Sequence, residues 1–330
     1  MRILVTGGAG FIGSHYVRTL LAGGYPGGED ARVTVLDKLT YAGNLANLAP
    51  VAAAPRFTFV HGDICDGGLL AQVVPGHDTV INFAAESHVD RSIAGAGDFV
   101  AANVAGVQAL LDACLAAGVA RIVQVSTDEV YGSAAAGSWR EDAPLAPNSP
   151  YAAAKAGGDL IARAYARTHG LDVRITRCCN NYGPYQFPEK VIPLFVTNLL
   201  DGLTVPLYGD GQNVRGWVHV DDHCRGIQLV LDKGEPGGVY HINGDVELTN
   251  IELTRALLKC CGAGWDRVTQ VADRKGHDRR YSLDDSALRA LGYSPRIPFP
   301  AGLAETVGWY AANRGWWEPL KERPQAGQRR

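Results

Sequence analysis

The chain carries a single methionine among its 330 residues, no pair of cysteines at CxxC spacing and no marked excess of either charge. Its seven cysteines, at 65, 114, 178, 179, 224, 260 and 261, are odd in number and include two adjacent pairs. Neither a metal site nor a disulfide framework follows from that spacing, so the expected compartment is reducing. A net charge of −3 lacks the basic footprint of a nucleic-acid-binding protein. No run approaches the roughly 20 apolar residues of a membrane span, and Ile3-Leu4-Val5 is too short for the core of a signal peptide. The expected setting is the cytoplasm, with neither nucleic acid nor membrane as partner. An apolar fraction of 46% and a charged fraction of 20% place the chain among ordinary globular proteins.

What the sequence does contain is a repeated order of β-rich runs and helical patterns. Strands are expected at Arg2–Thr6, Arg32–Leu36, Arg56–His61, Thr79–Phe83, Arg121–Ser126 and Asp172–Arg177. These runs are continuously apolar, as strands covered on both faces are. Segments at helical spacing, such as Phe99–Ala117 and Tyr151–His169, lie between most of them. The order implies an α/β fold, a Rossmann-like doubly wound parallel sheet with right-handed crossovers. Beyond about Arg177 the pattern becomes irregular, with short strands near Val205–Tyr208 and Val239–Ile242 and helices near Asp221–Asp232 and Asn250–Cys261. A dinucleotide-binding domain is therefore expected over residues 1–178, and a smaller substrate lobe, interleaved with it, over residues 179–330.

Gly7-Gly-Ala-Gly10-Phe11-Ile12-Gly13 follows the first strand directly and opens a helix. Glycines there permit a tight turn and bring backbone N–H groups and the helix N-terminus up to a pyrophosphate. Asp37 ends the second strand, where a carboxylate accepts hydrogen bonds from an adenosine ribose and repels a 2′-phosphate. That favours NAD over NADP, although Lys38 is a neighbouring cation. Asp63 is placed either to reach the adenine edge or as an ordinary turn aspartate. Ala84 and Ala85 are small enough for a cofactor to pass close by.

Thr127-Asp128-Glu129 stands at the end of the fifth apolar run. A buried strand that breaks into adjacent carboxylates at the ligand edge of a parallel sheet suits proton transfer, one carboxyl donating while the other accepts. Downstream, Tyr151 and Lys155 are four apart and share one helix face. A lysine cation about 4 Å from the phenol is expected to lower its pKa by roughly three units, making Tyr151 a usable base.

The motifs Gly7–Ser14, Asp37–Asn44, Ala84–Arg91, Ser126–Gly132, Asn180–Gln186 and Gly276–Tyr281 together resemble the extended short-chain dehydrogenase/reductases, and within them the dTDP-glucose 4,6-dehydratases. The likeness runs over nearly the whole chain. It implies NAD as cofactor, with Thr40, Gly43, Ile64, Ser87 and Asn181 joining the residues above around it. It implies a nucleotide diphosphosugar, dTDP-glucose, held by Ser87, Thr127, Asn180, Glu189, Lys190, Val191, Pro206, Tyr208, Arg215, Asn250, Arg274, His277 and Tyr281. It also implies a homodimer. Tyr151 would take the C4 hydroxyl proton, Glu129 the C5 proton, and Asp128 would protonate the departing C6 hydroxyl. Gly216 stands where many relatives carry an acidic residue, leaving the orientation of Arg215 open. Ala102 stands where the family often has threonine. The alternatives are a 4,6-dehydratase or a 4-epimerase acting on another nucleotide sugar, and an idle NAD-binding regulator. A 4-epimerase has no use for the carboxyl pair, and the regulator has none for Tyr151 or Lys155.

Overall fold

A computed structural model of the chain describes residues 1–321, and the polar tail beyond Lys321 lies outside them. The strands are β1 (Arg2–Thr6), β2 (Arg32–Asp37), β3 (Phe57–His61), β4 (Thr79–Asn82), β5 (Arg121–Thr127), β6 (Val173–Cys178), β7 (Asn180–Tyr182), β8 (Val205–Tyr208), β9 (Val214–His219), β10 (Val239–Ile242), β11 (Val246–Thr249) and β12 (Val268–Val271). Seven of them form one parallel sheet in the order β10-β6-β5-β4-β1-β2-β3. The order reverses beside β1, which puts the crevice for a ligand above the C-terminal ends of β1 and β4.

Both faces of this sheet are covered. Ile3 and Val5 point to one side and pack with Cys224, Ile227 and Val230 of the helix Val220–Lys233. Leu4 and Val80 point to the other and pack with Val107, Leu110 and Leu111 of the helix Gly106–Ala117. Two smaller sheets, β11-β9-β7 and β12-β8, lie in the C-terminal part around Tyr182, Phe195, Trp217 and Trp317.

Two features depart from expectation. Val239–Ile242, assigned from the sequence to the smaller lobe, is an edge strand of the main sheet, with Val239 opposite Ile175 and Ile242 opposite Cys178. Its partner lies more than sixty residues earlier, and local periodicity carries no information about so distant a pairing. The second concerns the helix Gly97–Ala117, which by length and composition is apolar enough to cross a membrane, with 39% of its most apolar window buried. Asp98, Asn103, Gln108 and Asp112 break up its apolar run in the sequence. Its inner face belongs to the core, and it widens into a π-type turn at Ala101–Ala105 around the buried Asn103.

Candidate active site

The glycine turn is shaped by contacts that no side chain could share. Gly7 has φ +68°, and a Cβ there would stand 2.5 Å from the Ala84 nitrogen. At Gly13 a Cβ would stand 2.4 Å from the Gly7 carbonyl oxygen. The helix Phe11–Leu21 that follows has no acidic residue in its first turn and no side chain capping it at Gly10. Its first N–H groups are thus left for an anion, which fits a dinucleotide pyrophosphate.

Asp37 is buried at the end of β2, and its two oxygens accept from the backbone of Ala9 at 2.9 Å and Leu39 at 2.8 Å. A carboxylate has about four acceptor positions, so capacity for a ribose diol remains. Thr40 and Gly43 close the turn beside it, Gly43 N–H donating to the Thr40 carbonyl at 3.1 Å. Lys38 is engaged by Asp63 at 2.8 Å, so its charge is already matched and a 2′-phosphate gains little there. Asp63 also accepts from Cys65 N–H at 3.0 Å, as a turn aspartate does. Ile64 is buried against Gly106, and Ala84 and Ala85 line the end of β4. Asn103 clamps the following segment by accepting from Glu86 N–H and donating to Glu86 C=O, each at 3.0 Å. Neighbouring Ala102 leaves that clamp untouched.

The triplet lies where β5 ends, with Thr127 opposite Cys178 of β6. The Thr127 hydroxyl accepts from Glu129 N–H at 3.3 Å and starts a short turn over Asp128–Tyr131. Asp128 is 2% exposed, and its Oδ2 has no partner within the protein. Burial, and next the charge of Glu129, push its pKa up to about 8. Burial also raises Glu129, but Arg274, Lys190 and Arg215 oppose the shift. Two adjacent carboxyls are thereby driven apart, with Asp128 the one that keeps its proton near neutral pH.

Tyr151 opens the helix Pro150–His169, which Ser149 caps by accepting from Ala152 N–H at 3.1 Å. The phenol faces the triplet, and its pKa is raised by burial first and then by the Glu129 carboxylate. Lys155 is buried and donates to the Val125 carbonyl at 2.7 Å. Burial lowers the lysine's own pKa. The lowering of Tyr151 expected from a facing lysine is therefore not what this geometry gives. The ammonium is turned onto β5, and burial dominates at the phenol.

Several residues assigned by resemblance converge on the same cleft, while others sit at its rim or serve the backbone. Lys190 donates to the Ser87 carbonyl at 2.7 Å, and Glu189 pairs with Arg91 at 3.1 Å. Arg215 is 5% exposed on β9, donates to the Asp278 carbonyl at 2.8 Å and lies 4.1 Å above the Tyr281 ring. Those two contacts fix its orientation. A Cβ on Gly216 would meet Asn243 Oδ1 at 3.0 Å and Cys179 Cβ at 3.1 Å, so an acidic residue there would need its neighbours to move. Arg274 lies 3.8 Å from Asp90, and His277 lies 2.6 Å from Asp273 beside the Tyr208 ring. Pro206 sits on β8, Val191 starts the helix Val191–Leu200 and Asn250 starts the helix Asn250–Cys260. Asn180 and Asn181 form β7, where the Asn181 side chain donates to the Cys179 carbonyl at 3.0 Å. Sequence reasoning gave no role to Arg91, Tyr41, Asp159 or Arg177. Charged residues inside helices and strands read as solvent-facing, and nothing local marks Asp159 and Arg177 as buried or Arg91 and Tyr41 as partners.

The family model described as GDP-mannose 4,6 dehydratase matches residues 4–306. A dTDP-glucose 4,6-dehydratase of Streptomyces niveus is 61% identical over 327 residues, spanning 99% of this chain and 97% of its own. Another, from an Actinoplanes species, is 62% identical over 319 residues, spanning 96% of this chain and all of its own, 100%. The crystal structure of the dTDP-glucose 4,6-dehydratase of Streptomyces venezuelae with NAD and TYD bound matches with a TM-score of 0.96 at 68% identity, covering 97% of this chain and 100% of that one. With likeness of this extent and a site built from the same motifs, the chain belongs to the nucleotide-sugar 4,6-dehydratase family of the extended short-chain dehydrogenase/reductases, among the dTDP-glucose 4,6-dehydratases.

Proposed function

We propose that this protein converts dTDP-glucose to dTDP-4-keto-6-deoxy-glucose with bound NAD. The observation that carries the reading is the divided carboxyl pair, with Asp128 held protonated to about pH 8 beside Glu129, whose rise three cations oppose, both facing Tyr151. Bound NAD⁺ would supply a reversible hydride acceptor for C4 oxidation and C6 reduction, and a positive charge that favours the Tyr151 phenolate. The glycine turn, Asp37 and the small residues after β4 would hold it.

Tyr151 accepts the C4 hydroxyl proton, with Thr127 holding that oxygen by a hydrogen bond. Lys155 keeps the end of β5 and the catalytic helix in register through the Val125 carbonyl. The 4-ketone acidifies C5–H, Glu129 removes that proton, and Asp128 delivers its own to the C6 hydroxyl, which leaves as water. Glu129 then returns its proton to C5 when C6 is reduced, and the proton taken up by Tyr151 makes good the one lost by Asp128. General acid–base groups of this kind contribute about 10² to 10⁴ in rate. Arg215, Lys190 and Arg274 supply positive charge for the diphosphate, and all three act on Glu129.

The same proposal includes a cytoplasmic homodimer. Seven free cysteines suit a reducing compartment. Val100 and Leu160 are 52% and 54% exposed on two helices that pack side by side, an apolar surface suited to a second copy. The division near residue 178 we take as interleaved, since β10 returns to the first sheet. Incubation with dTDP-glucose, with UDP-glucose and GDP-mannose in parallel, tests the assignment through the alkaline absorbance of a 4-keto-6-deoxy sugar. Product from dTDP-glucose without added NAD is expected. Stoichiometric consumption of external NAD⁺ would contradict internal hydride return.

A further inference from the structure

β2 and β4 are the two neighbours of β1, so any contact between the loop after β2 and the helix after β4 must pass over the glycine turn. Such a contact exists. Arg91, on the helix Val89–Ala94, sets its guanidinium 3.6 Å from the centre of the Tyr41 ring. Its Nη2 also donates to Glu189 Oε2 at 3.1 Å, and the Glu189 side chain is 8% exposed. Phe187 meets the Tyr41 ring edge-on at 5.6 Å. Three segments distant in sequence thus close on one another above the β1 crevice.

The root of the Tyr41 loop is held in a costly shape. Leu39 has φ +54°, a conformation side chains rarely adopt, and its N–H donates to Asp37. Tyr41, two residues on, is partly exposed, with its hydroxyl buried. Neither Tyr41 nor Arg91 has a part in the proton transfers above.

Resting on the functional reading just given, we propose that Tyr41, Arg91 and Glu189 form a latch across the dinucleotide crevice that keeps NAD bound from one turnover to the next. A reaction that returns its hydride has no need to release the cofactor, and a closed strap makes release slow. Opening requires breaking a partly buried cation–π contact and a charge-assisted hydrogen bond together.

Wild type, Tyr41→Leu, Arg91→Met and Arg91→Lys are loaded with labelled NAD and chased with an excess of unlabelled NAD, and retained label is followed in time. Tyr41→Leu and Arg91→Met should each release NAD roughly tenfold faster, the scale of one lost, partly buried cation–π contact. The double variant should be little faster than either single one, because both break the same contact. Arg91→Lys should restore part of the retention, and kcat at saturating NAD should stay near wild type. Thermal melts with NAD saturating identify any variant whose fold has failed, and the remaining variant then carries the test. Release at the wild-type rate in folded variants of a wild type that does hold NAD would overturn the latch alone. A wild type that binds no NAD would overturn the functional reading and the latch with it.

Discussion

The Arg177 Nε donates to Asp159 Oδ2 at 2.9 Å, and both side chains are wholly buried. The same guanidinium donates through Nη1 to the Tyr131 hydroxyl, which lies 2.7 Å from His241 Nε2. His241 is held neutral by burial, its pKa lowered to about 4, so its Nε2 can accept while Nδ1–H donates to the Asp284 carbonyl at 2.8 Å. One cation therefore joins β6, the helix bearing Tyr151 and Lys155, and the turn bearing Asp128 and Glu129.

Asp159→Asn should lower stability by about 3–5 kcal/mol, because a buried guanidinium would lose its counter-charge. Urea unfolding monitored by circular dichroism checks this. A loss below about 1 kcal/mol, the range of a surface pair, would show that Arg177 finds compensation elsewhere.

Asp128 gives a pH dependence of defined sign. Its folded-state pKa is about 8 against an ordinary 3.8, so the folded chain binds this proton more tightly than the unfolded one. The associated stability is full below about pH 4 and is lost as pH rises through about 8. In Asp128→Asn the melting temperature should fall less over that interval than in wild type. Turnover of wild type should decline above about pH 8 as the acid is lost. Parallel melting curves for the two proteins would contradict the raised pKa.

How much of this was legible in the sequence differs by kind of feature. The six strand runs expected up to Arg177 agree with β1 to β6 to within one residue at each end, because burial on both faces leaves an uninterrupted apolar signature. The glycine turn was legible because its spacing follows a strand and opens a helix. The seat of β10 was not, since register over such a distance is decided by tertiary packing. Arg177 within β6 and Asp159 within a long helix each carry a charge that reads as exposed. Their burial is visible only once the two elements meet. The direction of Lys155 was missed for a similar reason: helical spacing fixes a shared face, while the Val125 carbonyl decides where the ammonium points.

Glu129→Gln should keep C4 oxidation and abolish removal of the C5 proton, since an amide is not a base at neutral pH. Solvent deuterium incorporation at C5 should fall in step with product formation, by about 10² or more. Product at a near wild-type rate would remove Glu129 as the base.

Leu160→Glu should weaken self-association at least about tenfold, the scale of losing one buried leucine, with Val100→Asp acting in the same direction. Sedimentation velocity across a dilution series reads this directly. An unchanged dimer would place the interface elsewhere, and a monomeric wild type would remove it.

The division of labour between oxidation and elimination is tested most directly by single-turnover rapid mixing of dTDP-glucose with NAD-loaded Asp128→Asn and Tyr151→Phe, following reduced-nicotinamide absorbance with mass analysis of the quenched sugar. Asp128→Asn should accumulate reduced nicotinamide together with a 4-keto-glucose nucleotide, because C4 is oxidised and the C6 hydroxyl has no acid to help it leave. Tyr151→Phe should show almost no reduced nicotinamide, because its C4 hydroxyl proton has no acceptor. The same trace from both variants would contradict the assignment of the first proton transfer to Tyr151 and the last to Asp128.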